Sequence, residues 1–121
     1  MCLWTGTQGD IIIKPQNIVA MVGHESVFEC STNFTGDIVW YYSAPATSSL
    51  ELVSAGKGVH KYFAKRYAVD NNDKHFNLKI QSNQPLDAGT YRCQDAVTKA
   101  SAELVLIGTI VCYLNILIFV F

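Results

Sequence analysis

Four cysteines, at positions 2, 30, 93 and 112, and three histidines, at 24, 60 and 75, are the side chains with the most reactive or metal-ligating chemistry in this sequence. No two cysteines form a C-x-x-C pair and the histidines are scattered, so zinc spacing is absent. A catalytic thiol needs a neighbouring base, and no motif nominates one. The carboxylates are dispersed, and nothing groups Ser, His and Asp. The pattern calls for no catalytic residue, no metal and no cofactor. Cys30 and Cys93 lie inside strand-like runs, which points to a disulfide across a core. One further chemical motif is Asn33-Phe34-Thr35, an N-glycosylation triplet in a polar loop.

The elements that must position these groups can be read around "DAGTYRC", Asp87 to Cys93. Strand parity turns Gly89, Tyr91 and Cys93 inward together. Gly89 is expected to keep the corner small, so that the Tyr91 hydroxyl folds back onto a backbone group near Asp87 and is not buried unpaired. Asp87 then pairs with a cation, for which Arg66 is the candidate. Cys30, also mid-strand and inward, is the expected partner of Cys93. Trp40 faces inward on the next strand and packs on that disulfide. A cross-link over this span stabilises by roughly 4 kcal/mol in the loop-entropy estimate.

Short alternating runs fill the rest. "IIIKP" reads as an edge strand ended by Pro15. "ESVFECST" places Ser26, Phe28 and Cys30 on one face, and "DIVWYYS" does the same for Ile38, Trp40 and Tyr42. "LELVSAG" and "RYAVD" are short strands. "HFNLKIQS", after a polar "NND" turn, turns Phe76, Leu78 and Ile80 inward. "ASAELVLIG" does so with Ala102, Leu104 and Leu106. No helical period appears between them. Seven or eight such strands predict an all-β antiparallel sandwich or barrel.

Cys30, Trp40 and the run Asp87-x-Gly89-x-Tyr91-x-Cys93 resemble the pattern of the immunoglobulin superfamily. "GHESVFEC" is similar to that family's turn and second strand, and Arg66 with Asp87 resembles the salt bridge closing the lower end of variable-type domains. The resemblance covers residues 11–108 and implies a two-sheet antiparallel immunoglobulin-like β-sandwich. Residues 1–10 form an N-terminal extension and residues 109–121 an apolar tail. Room for an extra edge strand between Trp40 and Arg66 favours the variable or the intermediate set. The last strand lacks a Gly-x-Gly bulge, which disfavours a rearranged antigen-receptor domain.

Members of this family mostly present a sheet face or end loops to another protein. Parity turns Val39 and Tyr41, then Arg92 and Gln94, outward on adjacent strands, with Thr90, Ser101 and Glu103 beside them. Tyr beside Arg is the composition of a protein-binding hot spot; the plainer reading is that Val39 and Tyr41 pack under the 44–56 connection. A protein ligand or a homophilic partner is expected. Net charge is −1 over 121 residues. Lys57, Lys61, Lys65 and Arg66 make only a modest basic cluster, so nucleic acid is not expected.

The eighteen residues from Leu104 to Phe121 carry no charge. The last strand claims the first of them, and the thirteen from Thr109 would reach only ~20 Å as helix, against ~30 Å of hydrocarbon. A membrane helix cut short, a lipid-anchor signal lacking its polar spacer, and a read-through artefact are the three readings of the tail. Residues 1–10 lack the features of a signal peptide. Cys2 and Cys112 are expected at opposite ends of the sandwich, too far apart to pair. The leading expectation is an extracellular, membrane-anchored recognition domain of a receptor or adhesion protein. The alternative is an intracellular structural module of the muscle-filament kind, with Cys30 and Cys93 reduced.

Overall fold

The computed structural model describes residues 11–33, 36–72, 75–113 and 116–120. Two sheets face each other. One contains β1 (Ile11–Ile13), β3 (Ser26–Phe28), β4 (Ser31–Thr32), β8 (Tyr67–Asn72) and β9 (His75–Ile80). The other runs in the order β2 (Ile18–Met21), β11 (Lys99–Ile107), β10 (Gly89–Gln94), β5 (Val39–Ser43), β6 (Glu51–Ala55) and β7 (Gly58–Val59). All pairings in these sheets are antiparallel except β2 with β11, which is parallel. The all-β sandwich expected from alternation is the fold.

The first segment divides between the sheets. β1 pairs with β4, and after Pro15 the chain crosses to pair β2 with β11. Proline has no N–H to offer a ladder, so the crossing falls where pairing is already interrupted. The sequence reading ended the edge strand at Pro15 and did not anticipate β2. The strand read as Glu25–Thr32 also divides. Between β3 and β4, the Cys30 N–H donates to Asn77 Oδ1 at 3.2 Å, while the Phe76 N–H donates to the Cys30 oxygen. Further on, β8 runs through Asn71 and Asn72, two residues that the sequence reading placed in a turn.

Phe28, Ile38, Trp40, Val53, Leu78, Ile80, Tyr91, Cys30 and Cys93 are fully enclosed between the sheets, with Ala102, Leu104 and Leu106 closing one side. Each sits at the inward parity of its strand. Phe28 stacks at a tilt on Tyr91, with centroids 5.1 Å apart, and reaches Trp40 at 6.2 Å. Edge and offset arrangements of this kind add to area burial.

Beyond Ile107 the described residues of the tail form strands. Thr109–Tyr113 (β12) and Ile116–Val120 (β13) pair antiparallel as a two-stranded ladder. Among the described residues no helix is long and apolar enough to cross a membrane. Cys2 and the Cys112 side chain lie outside the described residues.

Candidate functional site

The lower end of the sandwich is closed around Asp87. Gln84 to Asp87 form a tight turn in which the Asp87 N–H donates to the Gln84 oxygen, and the Gln84 N–H donates back to Asp87 Oδ2 at 2.8 Å. Arg66 adds both ends of its guanidinium, with Nη2 to Oδ1 at 2.8 Å and Nη1 to Oδ2. A two-pronged geometry of this kind gives Arg its advantage over Lys. Tyr67 donates its hydroxyl to Oδ1 at 2.7 Å, and the Tyr91 hydroxyl donates to the Asp87 main-chain oxygen at 2.6 Å. The two hydroxyls lie 2.8 Å apart, so two hydrogens serve three contacts and one is shared.

Burial alone would push the Asp87 carboxyl up. The Arg66 hydrogen bonds, the Gln84 N–H and the Tyr67 hydroxyl outweigh it and hold the group below the usual carboxylate range. Burial pushes the Tyr67 and Tyr91 hydroxyls upward. Tyr42 is raised too, by burial and then by the charges of Asp87 and Glu51, while its hydroxyl donates to the Ala88 oxygen at 2.7 Å. These polar groups are consumed in pinning the corner.

Gly89 owes its place to a different neighbour from the one the sequence suggested. At φ +149°, a Cβ there would meet the Ser43 oxygen at 2.5 Å and the Tyr42 ring at 2.8 Å. The close approach is therefore to the adjacent strand β5, not to the Tyr91 ring.

In the core, Cys30 and Cys93 are joined by a disulfide with Cα atoms 6.6 Å apart. Trp40 is the register partner of Cys93, and its indole N–H donates to the Phe76 oxygen at 2.8 Å. At the opposite end a second buried carboxylate went unnoticed in the sequence. Asp95 Oδ1 accepts from the Val97 and Thr98 N–H groups at 2.8 and 2.7 Å, and Oδ2 accepts from the Thr32 hydroxyl at 2.9 Å. The signal was an aspartate two and three residues ahead of amides it could cap.

On the outer face of the six-stranded sheet, register aligns the outward side chains in rows. Ser101, Arg92, Tyr41 and Leu52 form one row, and Lys99, Gln94, Val39 and Ala55 the next. The Arg92 guanidinium carbon stands 5.2 Å from the centre of the Tyr41 ring. Arg92 Nε and Gln94 Oε1 are both enclosed without a hydrogen-bond partner among the described residues. Leu52, 42% exposed, extends the apolar part of the row and was missed because its strand's register was unreadable. Asn33 is exposed at the bend after β4; Phe34 and Thr35 of its triplet lie outside the described residues.

Two facing sheets with β2 on β11, and with β6 and β7 extending the second sheet past β5, define a variable-type sandwich. The Immunoglobulin V-set domain pattern matches residues 13–105, and the chain belongs to that family, whose members are typically not enzymes. Among solved structures it is similar to a chain in the structure of Dpr11 IG1 bound to DIP-gamma IG+IG2, at 21% identity and a TM-score of 0.70, covering 87% of this chain. It is also similar to a chain in the structure of Dpr2 Ig1–Ig2 in complex with DIP-Theta Ig1–Ig3, at 19% identity and 0.69 over 84% of this chain. The match spans 54% of the first of those chains and 35% of the second. Domain I81 of titin aligns at 19% identity and 0.62, over 84% of this chain and 99% of that one. At these identities the likeness concerns the fold.

Proposed function

We propose that this chain is the recognition domain of a cell-surface receptor or adhesion protein, and that it binds another protein, or a second copy of itself, through the outer face formed by β11, β10, β5 and β6. The observation that carries this reading is the Arg92–Tyr41 pair with its neighbour Gln94. A guanidinium resting on an aromatic ring, with an amide side chain and the exposed Leu52 beside it, is a polar and aromatic cluster on a partly apolar surface. Arg and Tyr together are the composition of a protein-binding hot spot. Two of the solved structures similar in fold hold their immunoglobulin domains in protein–protein complexes.

The disulfide suits an oxidising, extracellular compartment, and an exposed Asn33 suits a glycan that leaves the sheet face clear. In this reading the apolar tail from Thr109 serves membrane attachment.

The test is a binding panel of secreted cell-surface domains, including this chain itself, against the wild type and two face variants. Tyr41→Ala and Arg92→Ala should each weaken the partner at least tenfold, while Lys79→Ala on the opposite sheet should not. A specific partner indifferent to both face variants would refute the face. The titin likeness keeps a structural module as the second reading. Non-reducing mass analysis after secretion decides between them, since free Cys30 and Cys93 with unmodified Asn33 would favour that module.

A further inference from the structure

The chain's charge is segregated in a way its net value hides. Between Glu51 and Asp70 lie four of the nine lysines and arginines and none of the ten carboxylates. Arg66 is held by Asp87. Lys57, Lys61 and Lys65 are exposed, with no ion pair among the described residues. They sit along one edge of the sandwich, Lys57 in the turn between β6 and β7, and Lys61 and Lys65 in the connection from β7 to β8.

That connection is held in shape. The Phe63 N–H donates to the His60 oxygen at 2.8 Å, and the Tyr67 N–H donates to the Phe63 oxygen at 3.0 Å. The Phe63 ring packs edge-on against Tyr67 and Tyr42, with centroids at 5.1 and 6.4 Å. Phe63 and Arg66 thus anchor the segment to the closed corner, with Lys65 between them and Lys61 two residues before Phe63, both on ordered backbone. Ordering before binding removes part of the entropy that a ligand would otherwise have to overcome.

Next to Lys61 is an open groove of about 500 Å³ lined by Glu51, Leu52, His60, Tyr62 and Phe63. Tyr62 is 80% exposed, a large aromatic surface with no core to serve. Its ring lies 5.0 Å from His60, with Lys61 Nζ 5.5 Å from its centre. A flat ring stacks on the apolar face of a pyranose, and the Glu51 carboxylate accepts from sugar hydroxyls. The same carboxylate disfavours a small bare anion in the groove, so the anionic groups must project outward to the lysines.

We propose that this edge binds a sulfated polysaccharide, with the sugar against Tyr62 and the sulfates on Lys57, Lys61 and Lys65. The assignment rests on the cell-surface reading, since that is where such polymers occur, but it uses an edge separate from the Arg92–Tyr41 pair.

Heparin is the probe, applied to the full chain by surface plasmon resonance at several NaCl concentrations. The wild type should bind at 150 mM NaCl, and its affinity should fall steeply with salt. Combined Lys57→Ser, Lys61→Ser and Lys65→Ser should weaken binding at least tenfold. The charge-matched control of Lys14→Ser, Lys79→Ser and Lys99→Ser should change it less than twofold. Tyr62→Ala, which alters no charge, should weaken it about threefold or more. Thermal unfolding confirms that each variant is folded. Equal losses in the two triple variants, unchanged binding by desulfated heparin, or equal affinity for phosphatidylserine vesicles would each overturn the proposal. If heparin binding fails while the face variants still abolish a protein partner, this inference falls alone. Loss of the face result with heparin binding intact removes only the protein-binding reading.

Discussion

Tyr91 donates its hydroxyl hydrogen to the main-chain oxygen of Asp87, four residues upstream, at 2.6 Å. The same aspartate holds Arg66 and Tyr67 with its carboxylate. One residue thus ties the turn before β10 to the start of β8, and the corner becomes a single hydrogen-bonded unit.

Replacing Tyr91 by Phe keeps the ring and removes the oxygen. The Asp87 carbonyl and the Tyr67 hydroxyl then lose a partner inside the protein. The expected loss is about 1–3 kcal/mol, the range for leaving buried polar groups unpaired. Urea unfolding at pH 7 measures it, and a change under about 0.5 kcal/mol, the level of an ordinary surface substitution, would show the bond to be dispensable.

Stability should fall in acid. Asp87 and Asp95 both titrate below the ordinary carboxylate range. Burial pushes Asp95 up, and the Thr98 and Val97 N–H groups with the Thr32 and Thr98 hydroxyls more than reverse it. Unfolded carboxylates titrate near 3.9, so the unfolded chain takes up protons first as pH drops. The contribution is complete above that value and is lost as pH falls through the lower folded values. Unfolding midpoints from pH 7 to 2 should therefore decline below about pH 4–5, and less steeply in Asp87→Asn.

The alkaline limb has the opposite origin. Tyr42, Tyr67 and Tyr91 are raised, chiefly by burial. Unfolded tyrosines ionise near 10 while the folded ones keep their protons, so stability declines as pH rises past that point. Absorbance at 295 nm should show Tyr42, Tyr67 and Tyr91 ionising late, together with unfolding.

Two glycines with positive φ should respond very differently to alanine. At Gly89 the new methyl would meet the Ser43 oxygen, a backbone atom that cannot move aside. Gly89→Ala should cost about 3 kcal/mol or more, combining overpacking with an unfavourable backbone region. Gly23, at φ +91°, has nothing within 4 Å of the same position. Its alanine variant should lose only about 1 kcal/mol from backbone strain. Similar losses in the two variants would contradict the close approach at Gly89.

Removing the disulfide should be more damaging than any of these single polar changes. Cys30 and Cys93 are separated by 63 residues, which corresponds to about 4 kcal/mol of loop-closure entropy. The double alanine variant should unfold at a much lower denaturant concentration. A loss below about 1 kcal/mol would mean that the core holds without its cross-link.

Strands β5, β9, β10 and β11 were legible because each alternates cleanly. Ile38, Trp40 and Tyr42 are all buried, as are Phe76, Leu78 and Ile80. By contrast, "NIVAMV" contains no polar alternation, and β2 exists because Val19 and Ala20 find Val105 and Leu106, more than eighty residues away. The tail from Thr109 read as an uncharged apolar run, too short as helix to cross a membrane unless continued, yet its described residues pair as a two-stranded ladder, since uninterrupted Ile, Leu and Val suit a strand as well as a helix. The Tyr91 corner could be read from one heptapeptide, whereas the reason for Gly89 lay on another strand.

Which side chains face inward, and which two sulfurs can meet, followed from alternation and turn chemistry, properties that neighbouring residues define among themselves. Folding settled the rest. It decided that the first segment serves both sheets and that Arg92 lies on Tyr41. Those are matters of register between strands far apart in the chain, and register is set by packing against distant partners, which no local pattern encodes.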